Sequence, residues 1–299
     1  MSRVLIGTSG WSYKHWRGTF YPEGLRQRDE LKYISRELNS LELNGSFYSL
    51  QRPQSYQQWR ADTPDDFLFA IKGSRFITHN KKLKDVEQPL ANFFASGVLA
   101  LGDKLGPIVW QLPERARFDA ARVERFFSLL PRDTEAAAAI AETHDARVEG
   151  RSWTTTDANR PLRHALEPRS VEFVNDECID LLRHHNVALV VADSGRWPLF
   201  EEVTADFVYL RLHGSPFTYA SQYSDAALDR WADRIRRWRS GSEPRDARRV
   251  TDRPLPSRRA RDVYVYFDND GHAHAPHDAR ALAARLTETR TRARASSAG

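Results

Sequence analysis

Five short apolar runs carry charged or amide side chains where a buried strand should carry Val, Ile or Leu. They are Leu41-Glu42-Leu43-Asn44, Phe69-Ala70-Ile71-Lys72, Ala165-Leu166-Glu167-Pro168-Arg169, Val190-Val191-Ala192-Asp193 and Leu210-Arg211-Leu212-His213. Side chains of a strand alternate between faces, so Glu42 shares a face with Asn44, Glu167 with Arg169, and Arg211 with His213. The runs are short, apolar on the opposite face and bounded by turn residues, which marks interior strands. Desolvating so many ionisable groups is costly unless they are paired or at work. As chemistry, Glu42, Glu167 and Asp193 are candidate acids, bases or metal ligands. Lys72, Arg169 and Arg211 would bind negative charge, and His79 and His213 can move protons near neutral pH. Lys72 is also counted among the catalytic candidates.

The elements that must position these groups alternate along the whole chain. Strands are expected at Val4–Thr8, Ser40–Asn44, Phe67–Lys72, Pro107–Gln111, Arg163–Glu167, Ala188–Asp193, Phe207–His213 and Val263–Phe267. Helical periodicity falls at Leu31–Leu38, Gln54–Asp62, Pro89–Lys104, Ala120–Leu130, Asp176–His185, Ala226–Arg239 and His277–Thr289. Eight strands alternating with helices predict an α/β fold, a (β/α)8 TIM barrel in a single domain over 1–299. No GxGxxG follows the first strand, so an open dinucleotide-binding sheet gains no support. Two insertions interrupt the repeat. Residues 133–161 begin as the Ala-rich helix Glu135–Glu142 and pass into a polar loop; 240–262, rich in Arg, Pro, Ser and Asp, read as a mobile surface loop. A basic tail begins at about 288, with Arg290, Arg292 and Arg294.

In such barrels the chemistry sits at the C-terminal ends of the strands, and the unusual residues fall there. Gln111 ends the fourth strand, and Asp268-Asn269-Asp270-Gly271 follows the eighth. Gln111, Asn44 and Asn269 would orient a substrate. The first strand delivers Gly7-Thr8-Ser9-Gly10-Trp11-Ser12-Tyr13, whose Trp11 and Tyr13 would wall a pocket. A bland alternative stands beside each assignment: Glu42 could pair with Lys72, Glu167 with Arg211, and Asp193 could cap the turn at Ser194 and Gly195. His144, His164, His184 and His185 read as structural. Trp59, Trp231 and Trp238, at helical spacing, read as packing against the barrel wall.

Composition narrows the class. The 299 residues are 40% hydrophobic with eight Trp, enough for a sizeable core, and the lone Cys178 excludes an intramolecular disulfide. No run approaches 18 apolar residues, and the N-terminus carries no long apolar stretch, so a cytoplasmic protein without a membrane partner is expected. The net charge of +5 is concentrated in the Arg-rich segment 230–261 and the tail. A solvated basic loop explains that as well as nucleic acid does, which makes a nucleic-acid partner the less favoured expectation. HExxH, P-loop, GxSxG and CxxC patterns are absent.

Across nearly its whole length the chain resembles the DUF72 (YecE-like) proteins. The resemblance rests on Ile6-Gly-Thr-Ser-Gly-Trp-Ser-Tyr13, Leu41-Glu-Leu-Asn-Gly-Ser-Phe-Tyr48, Phe69-Ala-Ile-Lys72 with Phe76-Ile-Thr-His79, and Leu105-Gly-Pro-Ile-Val-Trp-Gln-Leu-Pro113. It continues through Ala165-Leu-Glu-Pro-Arg169, Val190-Val-Ala-Asp-Ser194, Val208-Tyr-Leu-Arg-Leu-His-Gly214 and Tyr264-Val-Tyr-Phe-Asp-Asn-Asp270. The resemblance implies a TIM barrel and carries no established activity. Family members often place an aromatic, commonly in a Ser-Trp pair, soon after the Glu-x-Arg segment. Here Arg169 is followed by Ser-Val-Glu-Phe173, so Phe173 or Trp153 is expected to stand in.

The leading expectation is an enzyme doing acid/base chemistry on a small, polar, anionic substrate in the barrel mouth, with the cofactor unknown. A second reading makes Glu42, Glu167, Asp193 and His213 ligands of a divalent metal in an isomerase or phosphodiesterase-like hydrolase. A third is a non-catalytic metabolite- or nucleic-acid-binding protein.

Overall fold

A computed structural model describes residues 2–296, with side chains placed as far as Thr287. Arg290, Arg292 and Arg294 of the expected tail therefore lie outside the described side chains. Eight strands, β1 (Val4–Thr8), β2 (Ser40–Leu43), β3 (Leu68–Lys72), β4 (Leu105–Gln111), β5 (His164–Glu167), β6 (Val187–Asp193), β7 (Phe207–Leu212) and β8 (Asp262–Phe267), form one parallel sheet in the order β1-β8-β7-β6-β5-β4-β3-β2. The seam between β1 and β2 closes the barrel. There the Ile6 N–H donates to Asn39 Oδ1 at 2.7 Å, the Gly10 N–H donates to the Glu42 carbonyl at 2.9 Å, and Ser9 bridges Glu42 in parallel. Gly7 makes this approach possible: a Cβ there would lie 2.0 Å from the Ser40 carbonyl oxygen.

The helices are α1 (Glu30–Glu37), α2 (Gly45–Tyr48), α3 (Pro53–Ala61), α4 (Glu87–Ala95), α5 (Ala120–Leu129), α6 (Thr134–Glu142), α7 (Asp176–His184), α8 (Asp225–Arg239) and α9 (His274–Ser296). Their ends follow local chemistry. Asn175 caps α7 by accepting from the Cys178 N–H at 2.8 Å, with Asp176 and Glu177 in the first turn and Arg183 and His184 in the last. The run expected as one helix over Pro89–Lys104 instead breaks after Ala95, and short 3₁₀ turns follow over Val98–Lys104. Gly97 causes the break: its φ is +115°, and a Cβ there would stand 2.6 Å from Pro53 Cα.

Two apolar layers result. The outer one, between strands and helices, takes Trp231 and Trp238 as their spacing predicts, together with the buried Cys178. The interior is filled unevenly. Strands β3 to β6 contribute Ala70, Val109, Ala165, Ala188, Val190 and Ala192, whereas β7 and β8 contribute Phe207, Tyr209, Tyr264 and Tyr266. Large rings from one wall thus cross the barrel onto small residues of the other, and buried phenols need partners. Tyr266 hydrogen-bonds Ser40 Oγ at 2.7 Å, and Tyr209 donates to Glu42 Oε2 at 2.7 Å.

Within the insertion, residues 241–261 form no helix or strand, in keeping with their missing periodicity, but the segment is tied down rather than free. Buried Glu201 accepts from the Arg248 N–H, and buried Glu202 accepts from the Val250 and Thr251 N–H groups. Much of the basic segment is neutralised locally: Arg234 pairs with Glu201 and Asp246, Arg249 with Glu202 and Glu243, and Arg253 with Asp176 and Asp180.

Candidate functional site

The C-terminal mouth of the barrel is built in two tiers, and Arg211 organises the lower one. Arg211 extends inward from β7, and its guanidinium is fully buried. Its Nε and Nη2 donate to Glu42 Oε2 and Oε1 at 3.1 and 2.8 Å, and its Nη1 donates to Glu167 Oε2 at 2.6 Å. Nη2 also reaches Ser9 Oγ at 2.9 Å and Asp268 Oδ2 at 3.0 Å. Three carboxylates from three strand ends thus converge on one cation. Burial works against its charge, but Glu167, Glu42 and Asp268 outweigh that and hold its pKa well above the ordinary value. Glu42 is further fixed by Ser9 Oγ, which donates at 2.5 Å, and by Tyr209. Such a network is costly to disturb, because removing one member leaves buried charge unpaired. Arg211, expected to bind substrate, thus gives its guanidinium to carboxylates, and Glu42 pairs with it rather than with Lys72.

His213, two residues on, is also fully buried. Its Nε2 lies 3.3 Å from Glu167 Oε1 and its Nδ1 lies 2.9 Å from Asp268 Oδ2. Neither ring nitrogen makes a well-directed hydrogen bond. Trp197 and Tyr219 pack edge-on to the imidazole, with ring centroids at 5.1 and 5.7 Å.

The upper tier faces the opening. Asp268 offers its carboxylate there, anchored by Oδ2 alone; Oδ1 accepts no hydrogen bond among the described residues. Burial pushes its pKa up, but Arg211, His213 and Lys72 prevail and hold it at about 2. Arg169 donates through Nε to Glu167 Oε1 at 2.9 Å and reaches the Tyr219 hydroxyl at 3.4 Å, while its guanidinium lies 3.9 Å from the Trp197 ring centre. Lys72, at the end of β3, is 8% exposed. Its Nζ stands 4.3 Å from the Phe47 ring centre and makes no hydrogen bond or ion pair among the described residues. Burial first, and the nearby Arg211 second, bring its pKa down to about 8 against the opposing pull of Asp268, Glu42 and Glu167. Gln111, on the inward register of β4 opposite Glu167, likewise keeps an unengaged carboxamide among the described residues. Asn44 donates to Ser9 Oγ at 2.9 Å, leaving its own carbonyl oxygen buried without a partner. Tyr13 closes one side, its hydroxyl donating to the Ser9 carbonyl at 2.6 Å and its pKa raised by burial and then by Asp268.

Four expected site residues stand elsewhere. Asp193 falls on the outward register of β6, since Ala188, Val190 and Ala192 face inward. It lies beside Tyr223 and Trp231 in a cleft against α8, and burial raises its pKa. Asn269, one residue past inward Asp268, spends its amide on the Ser221 carbonyl at 2.9 Å and Asp278 Oδ2 at 2.8 Å. Trp11 turns outward and packs edge-on to Trp59 at 5.7 Å, in a groove between α1 and α3. His79 sits at the margin. Its ring meets Phe47 edge-on at 5.2 Å, and it lines a neighbouring cavity of about 420 Å³ with Leu112, Pro113 and Phe173. Burial, then Arg75, lowers its pKa. Neither Phe173 nor Trp153 walls the mouth: Phe173 packs on Phe118, and the Trp153 indole donates to the Thr155 carbonyl. Trp197, from the loop after β6, supplies that wall instead.

Ser9, Tyr209, Trp197, Tyr219 and Asp268 complete the mouth although spacing did not single them out. Strand parity carries a signal for two of them: Tyr209 shares the face of Arg211, and Asp268 continues the inward series Tyr264, Tyr266. The donor set bears on the metal reading as well. Glu42 and Glu167 direct their oxygens at Arg211, which fills the space between them, and no group of three or more His, Cys, Asp or Glu is arranged to hold a metal ion among the described residues.

Comparison with known proteins places this geometry in a wider context. The family model described as "Protein of unknown function DUF72" matches residues 5–298. The UPF0759 protein YecE of Escherichia coli (strain K12) is 29% identical over 110 residues, covering 37% of this chain and 38% of that protein. The UPF0759 protein YunF of Bacillus subtilis (strain 168) is 24% identical over 115 residues, covering 37% of this chain and 40% of that protein. The alignments thus span well under half of these curated relatives. Among solved structures, a DUF72 family protein from Thermotoga maritima MSB8 superposes with a TM-score of 0.71 at 24% identity, over 95% of this chain and 99% of that one. A DUF72 family protein from Enterococcus faecalis V583 gives 0.66 at 13% identity, over 95% of each chain. These likenesses concern the fold.

Proposed function

Because the chain belongs to the DUF72 family, whose description assigns no function, we propose from the geometry of its mouth that it is an enzyme acting by proton transfer on a small, polar, anionic substrate. The observation that carries this reading is Lys72. A desolvated amine without a hydrogen-bond partner among the described residues stands near three carboxylates that each pair with Arg211. With a pKa of about 8 it exchanges a proton near neutral pH, as a general acid or base must. Asp268, held near pKa 2, stays ionised and serves as a fixed acceptor through its free Oδ1. Arg169 supplies the fixed positive charge for the substrate's anionic group, braced by Glu167 and by the face of Trp197. Gln111 and Asn44 contribute amide groups that orient the rest of the molecule. The buried tier of Glu42, Glu167, Arg211, His213, Ser9 and Tyr209 keeps these groups in place, so that little reorganisation accompanies reaction.

The test is calorimetric. Inorganic phosphate and oxalate, as minimal anions, should bind the wild-type protein. Arg169→Ala and Lys72→Met should each weaken that binding about tenfold or more, one unit of log affinity being about 1.4 kcal/mol. Binding by both variants at wild-type strength contradicts the anionic site.

A further inference from the structure

We propose that Lys72 is a nucleophile that forms a protonated imine with the substrate, and that the substrate is a small aldehyde or ketone carrying a carboxylate or phosphate. This rests on the reading of the mouth given above and extends it from proton transfer to covalent chemistry. An amine becomes a nucleophile when it is desolvated, sits beside another cation and is not tied to a carboxylate. Lys72 meets all three conditions. It is 8% exposed and flanked by Arg211, and its Nζ contacts the face of Phe47 instead of an acceptor. The third condition is the unusual one, because Glu42, Glu167 and Asp268 stand in the same mouth. Each gives oxygens to Arg211, so the guanidinium draws off the partners that would otherwise hold Lys72 as an ammonium. Anion binding alone does not call for a lysine held apart from acceptors, since Arg169 already places a guanidinium in the mouth.

The step balances without a co-reactant. The neutral amine attacks the carbonyl carbon and forms a C–N bond; the carbonyl oxygen leaves as water. Counted from the ammonium, two of its three hydrogens depart with that oxygen and one remains on the imine nitrogen. The proton that the amine sheds on attack goes to the departing hydroxyl, and Asp268, which stays ionised, stabilises the positive charge on the nitrogen from nearby. Arg169 would hold the carboxylate or phosphate, which fixes the carbonyl beside Lys72 and selects against neutral aldehydes. The protonated imine then serves as an electron sink for proton loss or carbon–carbon cleavage at the neighbouring carbon.

Pentane-2,4-dione tests the nucleophile without knowledge of the substrate, because it condenses with neutral amines to a stable enaminone. The chain contains seven lysines. Mass-spectrometric mapping at pH 7 of the intact protein should show Lys72 labelled at least tenfold faster than any other. Pyruvate with cyanoborohydride should leave its reduced adduct on Lys72, and Lys72→Arg should abolish both products. Slower labelling of Lys72 than of the exposed lysines, together with no pyruvate adduct on it, overturns the covalent step. If phosphate still binds in an Arg169-dependent way, only that step falls; if phosphate binding is also absent, the underlying reading falls with it.

Discussion

Arg211 and Asp268 meet through a single carboxylate oxygen: Nη2 lies 3.0 Å from Oδ2, the same oxygen that His213 Nδ1 approaches at 2.9 Å. One oxygen of Asp268 is thereby held by Arg211 of β7 and approached by His213 just beyond it, and the other is left to the mouth. The same division runs through the site. Glu42 and Glu167 are wholly enclosed and hold the guanidinium, while Asp268, Lys72, Arg169 and Gln111 keep an edge toward the opening. Groups of the first kind govern folding, and those of the second kind should govern binding and reaction.

Arg211→Met tests the first kind. It would leave Glu42, Glu167 and Asp268 buried without their cation, so a loss of about 3–5 kcal/mol or failure to fold is expected. Urea denaturation measures it. Arg211→Lys should rescue little, because one ammonium cannot serve carboxylates on three sides. Wild-type stability in either variant would show that the network carries no folding energy.

Glu42→Gln should also destabilise, by roughly 1–3 kcal/mol, since the amide cannot accept from Ser9, Tyr209 and both edges of Arg211 at once. The expected signature is a lowered Tm, with any loss of ligand binding following from unfolding. An unchanged Tm alongside abolished binding would move Glu42 into the reacting tier.

Lys72→Met should do the opposite at neutral pH. The folded-state pKa of about 8 lies below the usual lysine value, so the protonated amine is disfavoured in the folded protein. This penalty is full below pH 8, shrinks as pH rises toward the unfolded value, and vanishes above it. The variant should therefore be more stable than wild type by roughly 2–4 kcal/mol at pH 7, with the gain disappearing near pH 11. Equal stability of the two proteins across that range, by chemical denaturation, would contradict the desolvated amine.

Asp268→Asn probes the acid limb. Because the folded pKa is held at about 2, below the unfolded value, the carboxylate stabilises the protein above about pH 4 and loses that contribution as pH falls through 2. Wild type should exceed Asp268→Asn by roughly 2 kcal/mol at pH 6, and the curves should converge toward pH 2. A difference independent of pH would mean that the group is lost for shape alone.

Much of this was legible in the chain before its fold was known. Alternation of strand and helix gave the barrel, and charge at strand ends pointed to the mouth. Parity could have taken the reading further, since Asp193 breaks the inward series Ala188, Val190, Ala192, and Asp268 continues Tyr264, Tyr266. Which carboxylate claims which cation was not legible. Arg211 reaches Glu42 across the mouth from β7 to β2, over 169 positions of sequence, and only barrel closure brings the two together. Trp197 was hidden for another reason: its loop has no periodicity, and its role exists only once Arg169 lies against its ring.

On the reading proposed above, Lys72 is a desolvated amine that exchanges its proton near neutral pH in an anion-binding mouth. Carbon-13 labelling of the lysine ε-carbons, with the Lys72 signal assigned by its absence in Lys72→Met, follows that proton directly by NMR. A titration midpoint near pH 8 is expected, well below those of the exposed lysines and moving upward when inorganic phosphate is added. A midpoint at the ordinary lysine value, unmoved by phosphate, would contradict it.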